Sequence, residues 1–357
     1  MSIKEIAKKV GTSPATVSRV LNNPDYRCQV SGLREKIWDA AMELNYTPNT
    51  AAQNLRKGLS GHNTKTFYIN ILVTRAADAE ADPFFSELLR IIESEVHRFG
   101  HILHKVWYVP AFSDNREIRK VSPINIIREM KEASEYHSDG LVVLGKCHKE
   151  VLLLLEKEFR NIVSINRSST GHFIDEVTCD GKQIASQAVE YLISLGHKDI
   201  GYMGECRDEL RYRGFLETME RHNLEPNISY LYECHRSESA GYEAMEELMD
   251  NNDIPTALYC ANDIIAIGAL KAMEKRKKWN FNLAVISSDD IEKAQFSTPM
   301  LTTVQLPKEE MGKWAVSILL DRIMGGHSAV MTCELSTKII KRESCFSSFE
   351  APGEYSI

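Results

Sequence analysis

The chain has 357 residues, of which 43% are hydrophobic and 26% charged, and this globular composition excludes a largely disordered protein. No apolar run reaches the roughly 18 residues of a membrane span, and no apolar signal stretch follows Met1. The eight cysteines include no C-x-x-C pair, so we expect small buried thiols rather than a zinc or thioredoxin-like site. A reducing cytoplasm is the simplest location for such a chain.

Charge is unevenly distributed along the chain. The net charge is −7 overall, yet residues 1–60 hold nine Lys or Arg against five Asp or Glu, a local +4 that leaves −11 for the remainder. A basic head on an acidic body indicates that the head meets a polyanion.

The first 45 residues carry the periodicity of three short helices. Ser2-Ile3-Lys4-Glu5 is a capping box, and apolar residues then recur at helical spacing up to Gly11-Thr12. Ser13 is expected to cap a second helix with Pro14 at its first position, and a third is predicted over about 31–45. Two short helices joined by a tight turn and supported by a third are typical of a helix-turn-helix; the alternative is an ordinary three-helix packing unit.

After residue 62 the pattern changes to alternating strands and helices. The first strand is predicted at Phe67–Thr74, and the alternation continues to about residue 287, with a break near Asp180 that divides it into two halves. Such repetition predicts an α/β body of two doubly wound parallel sheets. A two-lobed body of this kind binds its ligand between the lobes, at the carboxyl ends of the strands.

Specific segments resemble a known family. Ile3–Asn22 is similar to the headpiece of the lactose/galactose repressor (LacI/GalR) family of bacterial transcription regulators, and 45–56 resembles its hinge segment. Further segments similar to that family follow in the expected order as far as about residue 345. They are Asp82-Pro83-Phe84-Phe85, Val177–Asp180, Leu195–Gly204, Arg211–Phe215, Ala261–Leu270, Ser288–Ile291 and Pro299–Val304.

The resemblance implies an N-terminal all-α helix-turn-helix headpiece followed by a periplasmic-binding-protein-like body. The implied divisions are a headpiece over 1–46, a hinge or linker over 47–62, a body over 63–345 and a tail over 346–357. The first lobe would hold about 63–178 and 305–330, and the second about 179–304 and 331–345. In the family the hinge folds only on operator DNA, where a leucine, here Leu55, enters the minor groove and kinks the duplex.

The resemblance and the polar outer side of the second helix together predict the DNA contacts. Arginine can bind guanine O6 and N7 together, and hydroxyls or amides at a helix start suit phosphate oxygens. The expected contacts are Thr12, Ser13, Pro14, Ala15, Thr16, Ser18, Arg19 and Asn22 in the headpiece, and Tyr46, Asn49, Ala52, Leu55 and Arg56 at the hinge.

Effector contacts are carried over onto the matching positions of the body. Carboxylate, amide and guanidinium groups together can bind vicinal hydroxyls, and a phenyl ring supplies an apolar wall. The expected contacts are Phe84, Arg167, Arg211, Arg236, Asn262, Asp263 and Asp289. Two alternatives stay open: Asp263 caps the helix that follows it, and Arg211 forms an ordinary salt bridge.

Two positions depart from the family's pattern. Arg236 and Ser288 stand where the family usually or often has an aromatic residue. The loss of two rings weakens the case for a plain sugar held by stacking. The added guanidinium points to an anionic group on the ligand or to a larger ligand, the alternative being a solvated Arg236 at the cleft rim.

Other classes of protein fit less well. The chain lacks G-x-S-x-G, H-E-x-x-H, Walker and G-x-G-x-x-G motifs, and three nearby histidines (His97, His101 and His104) straddle a helix end and a strand, so we expect neither an enzyme nor a metal site. A periplasmic sugar-binding protein would need a signal peptide and no DNA-binding head.

The sequence therefore predicts a ligand-responsive transcription regulator, most simply a repressor. It would bind a pseudo-palindromic operator and sense a sugar or sugar derivative, without cofactor or membrane. Because Cys345–Ile357 has no leucine heptad, we expect a homodimer. The expected location is the bacterial cytoplasm, on the nucleoid when DNA is bound.

Overall fold

The computed structural model describes residues 3–22, 32–43, 65–78, 82–113, 118–134, 137–166, 174–207, 209–251, 253–276 and 283–348. These residues fall into two units, Met1–Lys65 and Thr66–Ile357. Six of the predicted site residues lie outside the described ranges: Tyr46, Asn49, Ala52, Leu55, Arg56 and Arg167.

The described residues of the first unit form three short helices, α1 (Ile3–Val10), α2 (Pro14–Asn22) and α3 (Leu33–Glu43). Ser13 caps α2 as predicted, because its Oγ accepts a hydrogen bond from the Thr16 N–H at 3.1 Å. Gly11 makes the turn between α1 and α2 with φ +69°, a conformation that glycine adopts without strain. One small core joins the three helices: Ile6, Ala7, Val17, Val20, Leu21, Ile37, Ala40 and Ala41. The predicted helix-turn-helix is confirmed.

Two sheets are formed by the strands of the second unit that the structure describes, and every strand pairing in the first sheet is parallel. Its strands are β1 (Tyr68–Val73), β2 (Ile102–Tyr108), β3 (Gly140–Leu144), β4 (Ile162–Asn166), β5 (Asp175–Thr178) and β11 (Thr332–Glu334). In space they lie in the order β11-β5-β4-β3-β1-β2. The helices of this lobe are α4 (Pro83–Arg98), α5 (Pro123–Ala133), α6 (Lys149–Glu158) and α11 (Lys308–Met324), of which α11 packs on α4 and on the sheet.

The second sheet repeats this arrangement with one antiparallel edge. Its strands are β6 (Ile200–Gly204), β7 (Leu231–Glu233), β8 (Ala257–Cys260), β9 (Ala284–Asp289), β10 (Thr302–Gln305) and β12 (Lys338–Ile340). They lie in the order β12-β10-β9-β8-β6-β7, and β12 runs antiparallel to β10. The helices of this lobe are α7 (Gly181–Ser194), α8 (Leu210–Arg221), α9 (Glu238–Asp250) and α10 (Asp263–Lys275).

Helices cover both sheets, so the strands lie in the interior, and this explains why their side chains are mostly apolar. β3 and β8 are buried along their whole length, as expected for parallel strands with helices on both faces. The predicted fold class, a helix-turn-helix headpiece plus a two-lobed α/β body, is thereby confirmed. None of the helices in the described ranges is long and apolar enough to cross a membrane.

The chain crosses between the lobes in a way that corrects the predicted boundary near the C-terminus. The sequence division places 331–345 in the second lobe, whereas β11 pairs in parallel with β5 of the first sheet and only β12 belongs to the second. β11 has three residues, of which only the middle one is half-buried. A strand this short carries too little alternation to be assigned from its pattern.

Glycines set the closest helix contact of the second lobe. A Cβ at Gly268 of α10 would lie 2.0 Å from the Glu238 carbonyl oxygen of α9, and one at Gly241 of α9 would lie 2.1 Å from the Ile265 carbonyl oxygen of α10. The two backbones therefore pack directly on each other. This contact holds the first turn of α9 in place.

Candidate functional site

The second helix of the headpiece places its predicted DNA contacts together. Ser13 and Arg19 are exposed, while Thr16 and Ser18 are half-buried. The Ser13 and Thr16 hydroxyls are 2.9 Å apart and share a hydrogen bond. The other predicted contacts lie in the turn before α2 or within it: Thr12, Pro14, Ala15 and Asn22. The arrangement offers hydroxyls at the helix start and a guanidinium in its last turn.

In the body, Arg211 is the centre of a buried polar floor in the second lobe. It lies in the first turn of α8 with 1% of its surface exposed. Its Nε donates to Glu209 Oε1 at 2.9 Å, and its Nη1 donates to the Ala261 carbonyl at 2.5 Å. Burial works against the charge of Arg211, but Glu209 and Asp289 outweigh it and raise its pKa. Arg211 thus forms the salt bridge with Glu209 and also lines the cavity between the lobes, so its role as an effector contact stays a prediction.

Asn262 and Asp263 follow β8 and have different roles. Asn262 caps α10, because its Oδ1 accepts from the Ile265 N–H at 3.0 Å, so the alternative in which Asp263 is the cap is wrong. Asp263 instead accepts hydrogen bonds from the Ser287 and Thr303 hydroxyls at 2.5 and 2.6 Å. It is fully buried, and burial together with Asp289 raises its pKa to about 7. Asp263 thus ties α10 to the sheet.

Asp289 ends β9 in a strained conformation. Its backbone φ is 121°, a value that residues other than glycine rarely adopt, and 2% of its surface is exposed. Its Oδ1 lies 3.9 Å from Arg211 Nη1. The preceding Ser288 donates to the same Ala261 carbonyl that Arg211 uses, at 2.7 Å. Backbone strain that packing maintains is typical of ligand sites.

Arg236 lies between β7 and α9, and only 10% of its side chain is exposed. The alternative of a solvated residue at the rim is therefore wrong. Its Nη2 is 3.7 Å from Asp82 Oδ2 in the first lobe and 3.9 Å from Asp289 Oδ2 in the second. Both distances exceed a hydrogen bond, so the two carboxylates balance the charge without occupying its donors.

The first lobe faces this floor with two rings and a cation. Phe84 and Phe85, in the first turn of α4, pack edge to face with centroids 5.3 Å apart. Arg75, just after β1, donates through Nη1 to both oxygens of Glu205, at 3.2 and 3.1 Å, across the cleft. Burial and the nearby Arg236 lower the pKa of Arg75. The rings form an apolar wall and Arg75 links the two lobes.

The cavity between the lobes leaves about 440 Å³ not filled by protein atoms, part of it open to solvent. Three predicted contacts line it (Phe84, Arg211 and Arg236), whereas Asn262, Asp263 and Asp289 are not among its lining residues in the described chain. The lining residues that sequence reasoning missed are Arg75, Phe85, Gly145, Lys146, Ile165, Asn166, Glu209 and Met311. Most of them directly follow strands or begin helices, which is the signal that could have found them.

A second group of contacts also joins the lobes. Glu87 of α4 accepts from the Glu292 N–H at 3.0 Å and pairs with Lys308 at 2.6 Å. Lys308 in turn donates to the Asp290 carbonyl at 2.6 Å. Together with Arg75 and Glu205, these contacts hold the two lobes against each other.

Comparison with known proteins identifies both units. The family model described as bacterial regulatory proteins, lacI family, matches residues 2–49, and the model of the periplasmic binding protein-like domain matches 189–345. The chain belongs to the LacI family. Its curated relatives include the HTH-type transcriptional repressor PurR of Proteus mirabilis (strain HI4320), 29% identical over 351 residues that cover 96% of each chain.

Solved structures of LacI-family proteins share the fold. A complex of the transcriptional regulator CelR with cellobiose has a TM-score of 0.66 at 23% identity and covers 97% of this chain and 100% of its own. A Lac repressor dimer bound to operator and the anti-inducer ONPF has a TM-score of 0.63 at 23% identity and covers 97% and 99%. The protein is thus a ligand-responsive, DNA-binding repressor and not an enzyme.

Proposed function

We propose that the protein binds a pseudo-palindromic operator as a homodimer and changes its operator affinity when a sugar or sugar derivative occupies the interlobe cleft. The observation that carries this proposal is the cleft itself, where a buried polar floor faces an aromatic wall and both lobes contribute. Solved neighbours with bound cellobiose, ribose and sucrose support a polyhydroxylated ligand.

For DNA, the proposed division is a headpiece over 1–46, a hinge over 47–62 and an effector-binding body over 63–345. The α2 face with Arg19 would read the major groove, and Leu55 would wedge into the minor groove. A dimer matches the two-fold symmetry of a palindromic site. The neighbouring Lac repressor dimer on operator supports this arrangement. Because its target is DNA, we infer that the protein acts in the bacterial cytoplasm.

For the effector, the proposed contacts include Arg211, Arg236, Asn262 and Asp289, with Phe84 as the apolar wall. Asn262 is fully buried, and its Nδ2 donor has no hydrogen-bond partner among the described residues. A buried donor without a partner is costly, and a ligand oxygen would remove that cost. Lobe closure on the ligand would alter how the two hinges of a dimer meet, which links effector and operator affinity reciprocally.

The DNA half is tested by operator binding measured as fluorescence anisotropy on fragments selected from the genome. Arg19→Ala should cost about 1–3 kcal/mol and relax the preference at one base pair. Arg128→Ala, which removes an exposed arginine from the body, is the matched control and should leave binding unchanged. Equal loss on random DNA would make Arg19 a phosphate contact, and no binding to any fragment at low salt would refute the proposal.

The effector half is tested by a thermal-shift screen of sugars and sugar derivatives, since a specific ligand stabilises the body by mass action. Asp289→Asn should abolish the shift and the effector's influence on operator binding, while the ligand-free variant still binds operator. Glu220→Gln, an exposed change on α8 of the same lobe, is the control. Normal effector binding by the Asp289 variant in calorimetry would remove that residue from the site.

A further inference from the structure

The Nε–Nη2 edge of the Arg236 guanidinium has ion-pair neighbours but makes no hydrogen bond with any residue that the structure describes. Its Nε and Nη2 are both buried, and neither has a hydrogen-bond partner among the described residues. These two donors point in parallel, in the geometry that binds both oxygens of one carboxylate or phosphate. Two buried, unused charged donors side by side are costly in a folded protein.

The same edge is occupied at two other arginines of this protein. Arg276 donates from Nε and Nη2 to the two oxygens of Glu246, at 3.1 and 2.9 Å. Arg322 binds Asp175 in the same way: its Nε donates to Oδ2, and its Nη2 donates to Oδ1 at 2.7 Å. Arg236 lines the cavity between the lobes, and the carboxylates of Asp82 and Asp289 stay beyond hydrogen-bond distance of its Nη2. The comparison indicates that an oxyanion of the ligand takes the place that Glu246 and Asp175 take elsewhere.

The charges around the cavity favour an anion over a neutral ligand. Among its described lining residues, four are cationic (Arg75, Lys146, Arg211 and Arg236) and one, Glu209, is acidic. Glu209 is already hydrogen-bonded to Arg211. The nearest carboxylates to Arg236, those of Asp82 and Asp289, do not line the cavity and lie beyond hydrogen-bond distance.

The cations also come from both lobes. Arg75 belongs to the first lobe and Arg236 to the second; burial first and then repulsion by Arg236 lower the pKa of Arg75. An anion placed in the cavity is attracted to both and relieves that repulsion. It therefore favours the closed arrangement of the lobes over an open one, in which the two arginines stand apart.

We propose that the effector is a hydroxylated organic anion whose carboxylate or phosphate group is bound bidentately by Arg236. This inference rests on the proposed function, because it names the chemical class of the ligand for the same cleft. Arg236 is then the residue that selects sugar acids or sugar phosphates over neutral sugars. The polar floor with Arg211 and Asn262 receives the hydroxyl groups.

The test compares anion binding by the full-length protein and its variants in thermal shift and calorimetry at constant ionic strength. Inorganic phosphate is the first probe, with chloride as the reference salt. The sugar panel pairs D-glucose with D-glucuronate and D-glucose 6-phosphate, and D-galactose with its uronate and 6-phosphate. The variants are Arg236→Gln, Arg236→Lys, which keeps charge without the planar fork, and Arg276→Gln as a control for losing a bidentate arginine elsewhere.

We expect phosphate, and at least one sugar anion more than its neutral partner, to raise the Tm of the wild type. Arg236→Gln should weaken this binding by about 10- to 100-fold, Arg236→Lys should be intermediate, and Arg276→Gln should bind as the wild type does. If the uronates raise the Tm more than the 6-phosphates do, the site prefers a carboxylate. The opposite order indicates a preference for phosphate. Equal anion binding by the wild type and Arg236→Gln overturns the inference, as does an absence of any anion effect.

Two results separate this inference from the proposed function. If neutral sugars bind wild type and Arg236→Gln alike and change operator affinity, the repressor function stands and the anionic class is wrong. If anions bind through Arg236 but no operator is bound under any condition, the anion site stands and the repressor function fails.

Discussion

The two lobes of the body support the cleft in different ways. In the second lobe, polar side chains are buried and held by hydrogen bonds within that lobe, as Arg211 is by Glu209 and the Ala261 carbonyl. In the first lobe, the cleft wall consists of Phe84 and Phe85, and its charged group Arg75 finds its partner across the cleft. The second lobe is therefore a preformed floor, and the first lobe is a cover whose contacts depend on closure.

This difference means that the same type of substitution should have unequal effects in the two lobes. Changes to the floor remove interactions that exist in every state of the folded body. Changes to the cover remove interactions that exist only when the lobes meet, so they should alter the open–closed equilibrium more than the free energy of unfolding.

The largest difference is expected for the two cleft arginines. Arg211→Met leaves Glu209 buried without its cation, which should lower the free energy of unfolding by about 3–5 kcal/mol. Arg75→Met breaks a partly exposed pair and should cost about 1 kcal/mol or less. Urea unfolding of both variants measures this. Equal losses would mean that the two arginines are supported alike and that the floor and cover do not differ.

A smaller difference is expected for two helix-contact glycines. Gly268→Ala in the second lobe puts a methyl against the Glu238 backbone and should cost about 3 kcal/mol. At Gly312 in the first lobe the new Cβ meets the Ile91 side chain at 2.5 Å. That side chain can shift, and the gain in helix propensity of up to about 1 kcal/mol offsets the strain. Thermal unfolding that ranks Gly312→Ala as the more destabilising change would contradict this packing.

The smallest effects are expected from one histidine in each lobe, and they have opposite signs. His327 pairs with Asp321 and Asp175 in the first lobe, and these hydrogen bonds raise its pKa. Its stabilising contribution is fully present below the unfolded pKa of about 6.5 and is lost as pH rises through the raised folded value. The buried His197 of the second lobe has a lowered pKa, mainly because of burial. Its contribution is present above about 6.5 and is lost as pH falls through the folded value.

The measurement is Tm against pH, between about pH 5 and 8, for His327→Gln and His197→Gln. As the pH falls, the gap between wild type and His327→Gln should widen, and the gap between wild type and His197→Gln should narrow. Parallel curves for both variants would show that neither histidine changes its pKa on folding.

Long periodic segments explain how much of this architecture the sequence could predict. The helices of the headpiece have clear periodic patterns, and the strands β1 to β4 and β6 to β9 alternate with long helices, so these elements could be predicted. β5, β10, β11 and β12 have only three or four residues each, and their pairing depends on distant strands. For the same reason, lobe membership after residue 330 could not be read locally.

The cleft shows the same limit at the level of side chains. The positions of Arg211 and Arg236 after strands were predictable, because open sheets bind ligands at those ends. Asn262 caps α10, whereas the adjacent Asp263 accepts hydrogen bonds from Ser287 and Thr303. A sequence pattern does not show which of two adjacent polar residues is the cap. The hinge predictions, including Leu55, stay predictions because they lie outside the described residues.

The glycine contact between α9 and α10 has a consequence for how such a repressor changes over generations. Gly241 and Gly268 fix the start of α9 by backbone packing, and Arg236 precedes that start by two residues. The anchor of the loop is therefore independent of which side chain residue 236 carries. A single codon change there can exchange the chemical group offered to the metabolite while the helix stays where it is. Duplicated copies of the gene can in this way diverge in what they sense while the backbone contact that positions α9 is kept.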